Sequence, residues 1–200
     1  MKAQTVKRPV VLVAVLSIAV LAIPVAASAV TATTTISSVI SPVITLSTSG
    51  TVNVNAIPIG AGVQTIASDT ATVSTNDTAG YTLKLGETGA GATLVSGSDT
   101  IAASSGTQGS PVAETANSWG YRVDGVGGFG AGPTSPASNA AISGSITFAG
   151  VAASGSPNTI KTTATTASGD TTSIWYGVAV NSTQASGTYT NSVTYTATTN

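Results

Sequence analysis

Neither cysteine nor histidine occurs in this 200-residue chain, and only 6% of its residues are charged. Each absence removes a class of chemistry. Without cysteine there is no disulfide and no lipid attachment at a leader cysteine, so the fold must rest on its core and its backbone hydrogen bonds. Without histidine or cysteine, Ser-His-Asp and Cys-His nucleophile arrangements are excluded, as are zinc sites of the usual His/Cys type. The six cations are too few and too scattered to track phosphates, and no nucleic acid is expected as a partner.

What is present begins with an address. Lys2, Lys7 and Arg8 precede an uncharged apolar run at residues 10–22 (VVLVAVLSIAVLA), which Pro24 interrupts. The small residues Ala27-Ser28-Ala29 follow, and the pattern reads as a secretory signal peptide, residues 1–29, cleaved between Ala29 and Val30. An uncleaved anchor is the competing reading, because residues 10–29 carry no charge and could span a bilayer. Cleavage leaves 171 residues with Lys84, Arg122 and Lys161 as cations against seven carboxylates, a net charge of −4. The expected localisation is secreted and associated with the cell surface. No LPxTG-like motif follows the last alternating run, so covalent wall anchoring by that route is not expected.

The mature chain is rich in Thr, Ser, Val and Ile, residues that suit pleated strands, and it contains no convincing helical segment. Residues 30–41 (VTATTTISSVIS) form a Thr/Ser-rich lead-in that is either a spacer or an edge strand. Strands are expected at residues 43–47, at the alternating TVNVNA of residues 51–56 and within residues 63–75. Asn76-Asp77-Thr78-Ala79-Gly80 is a turn cluster between ATVST and GYTLKL, and the three together predict a β-hairpin. Short strands follow near residues 93–95 and 99–102. In NSWGYRVD (residues 117–124) the alternation puts Trp119, Tyr121 and Val123 on one face. Residues 125–139 read as a Gly/Pro loop containing Phe129. Ile142, Ile146 and Phe148 share a face of the next run, and residues 150–169 read as a long loop or weak strands.

Residues 173–181 (SIWYGVAVN) are nearly continuously apolar, as in a central strand buried on both sides. From Thr188 to Thr198 every even position is Thr or Ser, while the odd ones include Tyr189, Val193 and Tyr195. That period of two is useless to a helix; it gives a strand one core face and one hydroxyl face. Eight to ten such runs separated by turn signals predict an all-β protein, an antiparallel β-sandwich (Ig-like or jelly-roll-like), with residues 42–200 as one domain.

Three pieces of the chain, VSTNDTAGYTLKL, NSWGYRVDG and the ending WYGVAVNSTQASGTYTNSVTYTATTN, resemble uncharacterised secreted β-sandwich proteins of candidate-phyla bacteria. The ending is also similar to the last strands of WxL-type wall-binding domains, and the likeness touches roughly half of the mature chain. It implies an extracellular β-sandwich at a cell surface. The Trp-x-Leu tripeptide of that family is absent: Trp119 is followed by Gly-Tyr and Trp175 by Tyr-Gly. Wall-binding residues therefore do not transfer.

Few residues suggest chemistry. The carboxylates Asp69, Asp77, Glu87, Asp99, Glu114, Asp124 and Asp170 could in principle pair for glycoside hydrolysis, but nearly all stand in turn-like contexts that Asx turns explain. Asn76-Asp77 and Ser98-Asp99 are the places for a calcium ion, although the spacing of a calcium loop is missing. Trp119, Tyr121, Trp175 and Tyr176 could stack on sugar rings; in a chain with nine aromatics they also serve as core. Lys84 and Lys161 could enter isopeptide bonds with asparagine, and Asn76 and Asn181 open N-x-S/T triplets. The expectation is a non-enzymatic surface protein with a structural or adhesive role, with no catalytic residue, metal or cofactor. It would present Ser/Thr faces and the Gly-rich loop of residues 125–136 to an envelope glycan or a surface protein. A carbohydrate-binding module is the alternative, as is a self-assembling subunit that donates residues 30–41 as a strand. Contact with a membrane is expected only through an uncleaved leader.

Overall fold

The computed structural model describes residues 28–89 and 91–200. The expected leader lies outside them except for Ser28 and Ala29, which are exposed, as is Val30. The described residues contain no helix and twelve strands: β1 (Ile44–Ser47), β2 (Val63–Thr75), β3 (Tyr81–Glu87), β4 (Leu94–Ser96), β5 (Asp99–Ala103), β6 (Val112–Ala113), β7 (Ser118–Arg122), β8 (Ala137–Ala141), β9 (Thr147–Phe148), β10 (Asn158–Thr162), β11 (Ala167–Val180) and β12 (Val193–Thr199). Residues 40–200 form one compact unit; the described residues before it, 28–39, belong to a separate one.

The apolar run at residues 173–180 becomes the centre of the larger sheet. β11 lies between β2 and β7, and the sheet runs β1-β2-β11-β7-β5-β4, with β8 on the same edge of β2 as β1. A second sheet, β10-β3-β12, lies across one face of the first. Tyr81, Leu83 and Leu85 of β3 meet Val73, Ile174 and Tyr176 in a common core, and all but Tyr176 have no exposed surface. Each such side chain contributes roughly 1.5–3 kcal/mol through apolar burial. The protein is an all-β sandwich.

Several local expectations are corrected. β2 and β3 do not form a hairpin: β3 pairs with β10 and β12, while β2 pairs with β1, β8 and β11. The turn at residues 76–80 is well formed, with the Ala79 amide donating to Asp77 Oδ1 at 2.9 Å and Gly80 at φ +85°. It carries the chain from one sheet to the other. A Cβ on Gly80 would lie 2.4 Å from the Thr163 carbonyl oxygen, so this crossing requires glycine. The large sheet is not wholly antiparallel, since β5 and β7 run parallel at Ala102↔Ser118 and Ala103↔Trp119. Residues 137–139, the end of the expected Gly/Pro loop, belong instead to β8, which pairs with β2. Of residues 142–148 only β9 is strand, and β12 begins at Val193 rather than Thr188. Its alternation holds: Thr194, Thr196 and Thr198 are exposed while the residues between them are half-buried.

β7 departs from its alternating pattern in a different way, because it is buried on both faces. The outer face carries the cross-strand pair Gly120↔Gly177. Phe148 fills the hollow, its ring 2.6 Å from where a Cβ on Gly177 would stand. An aromatic laid over paired glycines restores the packing that the missing side chains remove.

Residues 51–56 hold the strand-like alternation of TVNVNA without being a strand. Val52, Val54 and Ala56 are packed against the core, and Asn53 and Asn55 are exposed. The segment stands off from β2, making only a side-chain bond at 3.0 Å from Thr65 Oγ1 to the Asn55 carbonyl.

Candidate functional site

Because the second sheet spans only part of the large one, the rest of the inner face is roofed by irregular chain, and a cleft of about 860 Å³ opens there. One wall is residues 48–56 and the other is residues 184–195, which end in β12. The floor is apolar: Leu94, Ile101, Trp119, Tyr176, Val178 and Val180. Hydroxyls and amides from both walls make the rim, and Asp69 is the one charged residue in the lining.

Asp69 holds the cleft in shape. It sits on β2 at 5% exposure, opposite Ile174. Its Oδ1 accepts from the Ser49 amide at 3.0 Å, the Thr70 amide at 2.7 Å and the Ser49 hydroxyl. Burial disfavours its charge, but hydrogen bonds from Ser49, Tyr195 and Thr70 outweigh that and hold the pKa below the ordinary value. Tyr195 and Tyr176 share a hydroxyl–hydroxyl bond of 2.7 Å across the two sheets. Burial pushes both phenols up. Asp69 therefore ties the start of the wall at Ser49 to the seam between the sheets. Nothing in the local sequence around Asp69 distinguished it from the other turn-like carboxylates.

The aromatics singled out by sequence do not form one surface. Trp119, Tyr121 and Tyr176 are 4%, 0% and 6% exposed and belong to the core, whereas Trp175 is half-buried on the opposite face of β11. Trp119 stacks on Tyr176 at 6.4 Å between centroids and donates its indole N–H to the Ala92 carbonyl at 2.7 Å. Its ring is thus part of the cleft floor without a free face for a sugar. The Tyr121 hydroxyl donates to Gln108 and accepts from Asn158 at 2.8 Å. Burial raises its pKa to about 12, against the opposing Asn158 bond.

The Gly/Pro loop is pinned rather than free. Phe129 is buried edge-on against Tyr121 at 5.5 Å, with the Arg122 guanidinium 5.9 Å from its centroid. Asp124 accepts from Arg122 Nε at 2.6 Å, the Thr134 amide at 2.5 Å and the Thr134 hydroxyl at 2.8 Å. Burial opposes the Asp124 charge, yet these bonds keep its pKa low. Most of the loop's glycines remain exposed.

No family model, curated protein or solved structure matches the chain.

The remaining carboxylates fall into separate settings. Asp170 accepts from Lys161 Nζ at 2.6 Å and from the Tyr81 hydroxyl at 2.8 Å; the lysine chiefly keeps its pKa low. Asp77 serves its turn, Glu87 is half-buried in β3, and Asp99 is exposed at the β4–β5 turn. Asn76 clasps the entering chain, accepting the Val43 amide at 2.7 Å and donating to the Ser41 carbonyl. Asn181 accepts from the Thr183 amide and hydroxyl. Lys84 stands on β3 between Thr159 and Thr196. Among the described residues no three acidic side chains gather as a metal cage.

Glu114 differs from the rest. It is 4% exposed, beneath the outer face of β7, where its Oε1 would lie 2.8 Å from a Cβ on Gly120. Burial pushes its pKa up to about 7, against the Ser118 hydrogen bond. Proton counting points the same way. Ser118 Oγ touches both Glu114 Oε2 and, at 2.7 Å, the Thr115 carbonyl, but has one proton to give. A protonated Glu114 donating to Ser118, which in turn donates to Thr115, satisfies both contacts.

Proposed function

We propose that this chain is an exported, non-enzymatic surface protein with a structural or adhesive role, and that it acts by holding an uncharged, extended chain in the cleft. The observation that carries this reading is the lining: an apolar floor, a hydroxyl and amide rim, and Asp69 as the lone charge, itself engaged by Ser49 and Thr70. Such a cleft selects by shape and backbone hydrogen bonding rather than by charge. A polypeptide suits it better than a sugar, because Trp119 is covered by Tyr176 and offers no stacking face. The exposed threonines of β12 and the exposed glycines of residues 125–132 give the outer surface the same uncharged character. The resemblance to secreted β-sandwich proteins and to WxL-type endings supports the location, as do the basic start, apolar centre and small-residue exit of the leader.

Mass spectrometry of fractionated native cells, with the N-terminal peptide sequenced, tests this. A chain beginning at Val30, held in the envelope fraction and released by denaturant, is the expected result. A chain retained inside the cell, or free in the medium alone, would overturn the surface role. An intact leader in the membrane would replace cleavage with anchoring.

A further inference from the structure

The cleft has the form of a missing strand position. β12 is the outer strand of its sheet, with β3 its strand partner. Across the cleft, residues 51–56 are extended, alternating and unpaired with any strand. Between these two backbones the floor offers Val178, Val180 and Leu94. Of β12 only Val193 and Tyr195 line the cleft, and an open strand edge beside an apolar trough is a template for an added strand.

The chain also carries a segment of matching chemistry. Val30, Ile36, Val39 and Ile40 are 92%, 93%, 91% and 82% exposed. In residues 30–40 the even positions read Val30, Ala32, Thr34, Ile36, Ser38 and Ile40, whereas Thr31, Thr33, Thr35 and Ser37 occupy odd ones. Val39 breaks the pattern. Laid as a strand, the segment would present an apolar face to the floor and turn its hydroxyls outward, as Thr194 is turned between the lining residues Val193 and Tyr195. Its side chains carry no charge, and neither do those of the lining apart from Asp69. Eleven residues of strand span about 36 Å, enough to follow the whole wall.

We propose that residues 30–40 of one copy of this chain insert as a strand into the cleft of a second copy, between β12 and residues 51–56. This rests on the cleft reading above and names its occupant. Insertion into the neighbour rather than the same molecule follows from where the chain enters. Ser41 is held by Asn76, next to Thr75 at the C-terminal end of β2, whereas the cleft begins at Asp69 and extends toward Val180, which pairs with Val63 at the N-terminal end of β2. A donor joined through Ser41 at the Thr75 end of β2 and an acceptor open toward its Val63 end make a head-to-tail contact, and head-to-tail contacts that do not close give filaments.

The cysteine-free chain permits a clean test. Full-length chain is expressed with its leader in an exporting host and purified from the exported fraction as two variants, Thr33→Cys and Asn53→Cys. These are mixed and treated with a flexible bismaleimide. A heterodimer band at twice the chain mass, lost when Ile36→Asp and Ile40→Asp are added to the Thr33→Cys chain, is the expected result. A synthetic peptide of residues 30–41 should compete for the same band. No heterodimer, with both variants monomeric by analytical ultracentrifugation, would overturn the proposal. Cross-linking only within one molecule, in a chain carrying both cysteines, would overturn it in favour of self-occupancy. Monomers found at the envelope would sink strand exchange while leaving the surface role intact; cross-linked chains from a cell-internal pool would do the reverse.

Discussion

Replacing Glu114 by glutamine should remove most of the pH dependence of folding between pH 5 and 8. The carboxyl is buried, and its pKa rises from 4.5 to about 7 on folding. That gap corresponds to about 3 kcal/mol of linkage. Below pH 4.5 the acid is protonated in both states, and its contribution to stability is fully present. As pH rises, the unfolded chain gives up its proton first. Folding must then recapture it, and stability falls until the folded group also ionises near pH 7. The window is unusually clear of other groups: the chain has no histidine and no cysteine, and the lowered pKa values of Asp69, Asp124 and Asp170 place their titration below it. Urea unfolding at pH 5, 6, 7 and 8 measures the effect through the midpoint at constant m value. The native chain should lose about 2.5 kcal/mol across the series, while Glu114→Gln stays nearly flat and becomes the more stable of the two at pH 8. Parallel pH curves for the two proteins would refute both the buried proton and the bonding scheme in which Glu114 donates it to Ser118.

Gly177→Ala drives a methyl into the Phe148 ring, 2.6 Å away, and should cost about 1–3 kcal/mol in thermal or urea unfolding. Adding Phe148→Leu should recover part of that loss although Phe148→Leu alone destabilises; strictly additive losses would mean that the ring does not cover the glycine pair. Asp69→Ala leaves the Ser49 and Thr70 amides without their acceptor and should cost about 1–3 kcal/mol. Hydrogen exchange should then quicken at Ser49 and Thr70; unchanged protection at Ser49 would show that Asp69 does not hold the cleft wall.

Some of this protein was legible because the relevant forces are local or compositional. β11 could be read from its unbroken apolar run, since a strand covered on both sides needs no polar face. β12 could be read from its hydroxyl alternation, and the turn at residues 76–80 from its Asn, Asp and Gly. What the turn joins was not legible. Turn residues specify how the chain reverses and carry no information about which backbone the next strand will find. Here Tyr81–Glu87 finds β10 and β12, both far along the sequence. β8 (ASNAA) was hidden for a related reason: its residues have weak strand preference, and pairing with β2 supplies what propensity does not.

The candidate site was the least legible part. The aromatics that stand out in the sequence are mostly core, and the residue that organises the cleft is Asp69, one of seven carboxylates with nothing local to mark it. Its role exists only because Ser49, from the cleft wall, and Tyr195, from β12, meet it on β2. The alternation of residues 51–56 correctly separates apolar from polar positions, yet the segment is no strand, because periodicity reports which side faces a core and not whether a neighbour lies alongside.

The sequence by itself determined the all-β class, the absence of disulfide and histidine chemistry, and the faces of its clearest strands. These follow from side-chain type and a two-residue period, both properties of the chain alone. Tertiary structure decided which strands pair, that the second sheet spans only part of the first, that the outer face of β7 is closed by Phe148, and hence that a cleft with Asp69 as its one charge remains beside β12. Those outcomes depend on contacts between residues distant in sequence, where the pairing of backbones and the filling of volume are settled jointly rather than residue by residue.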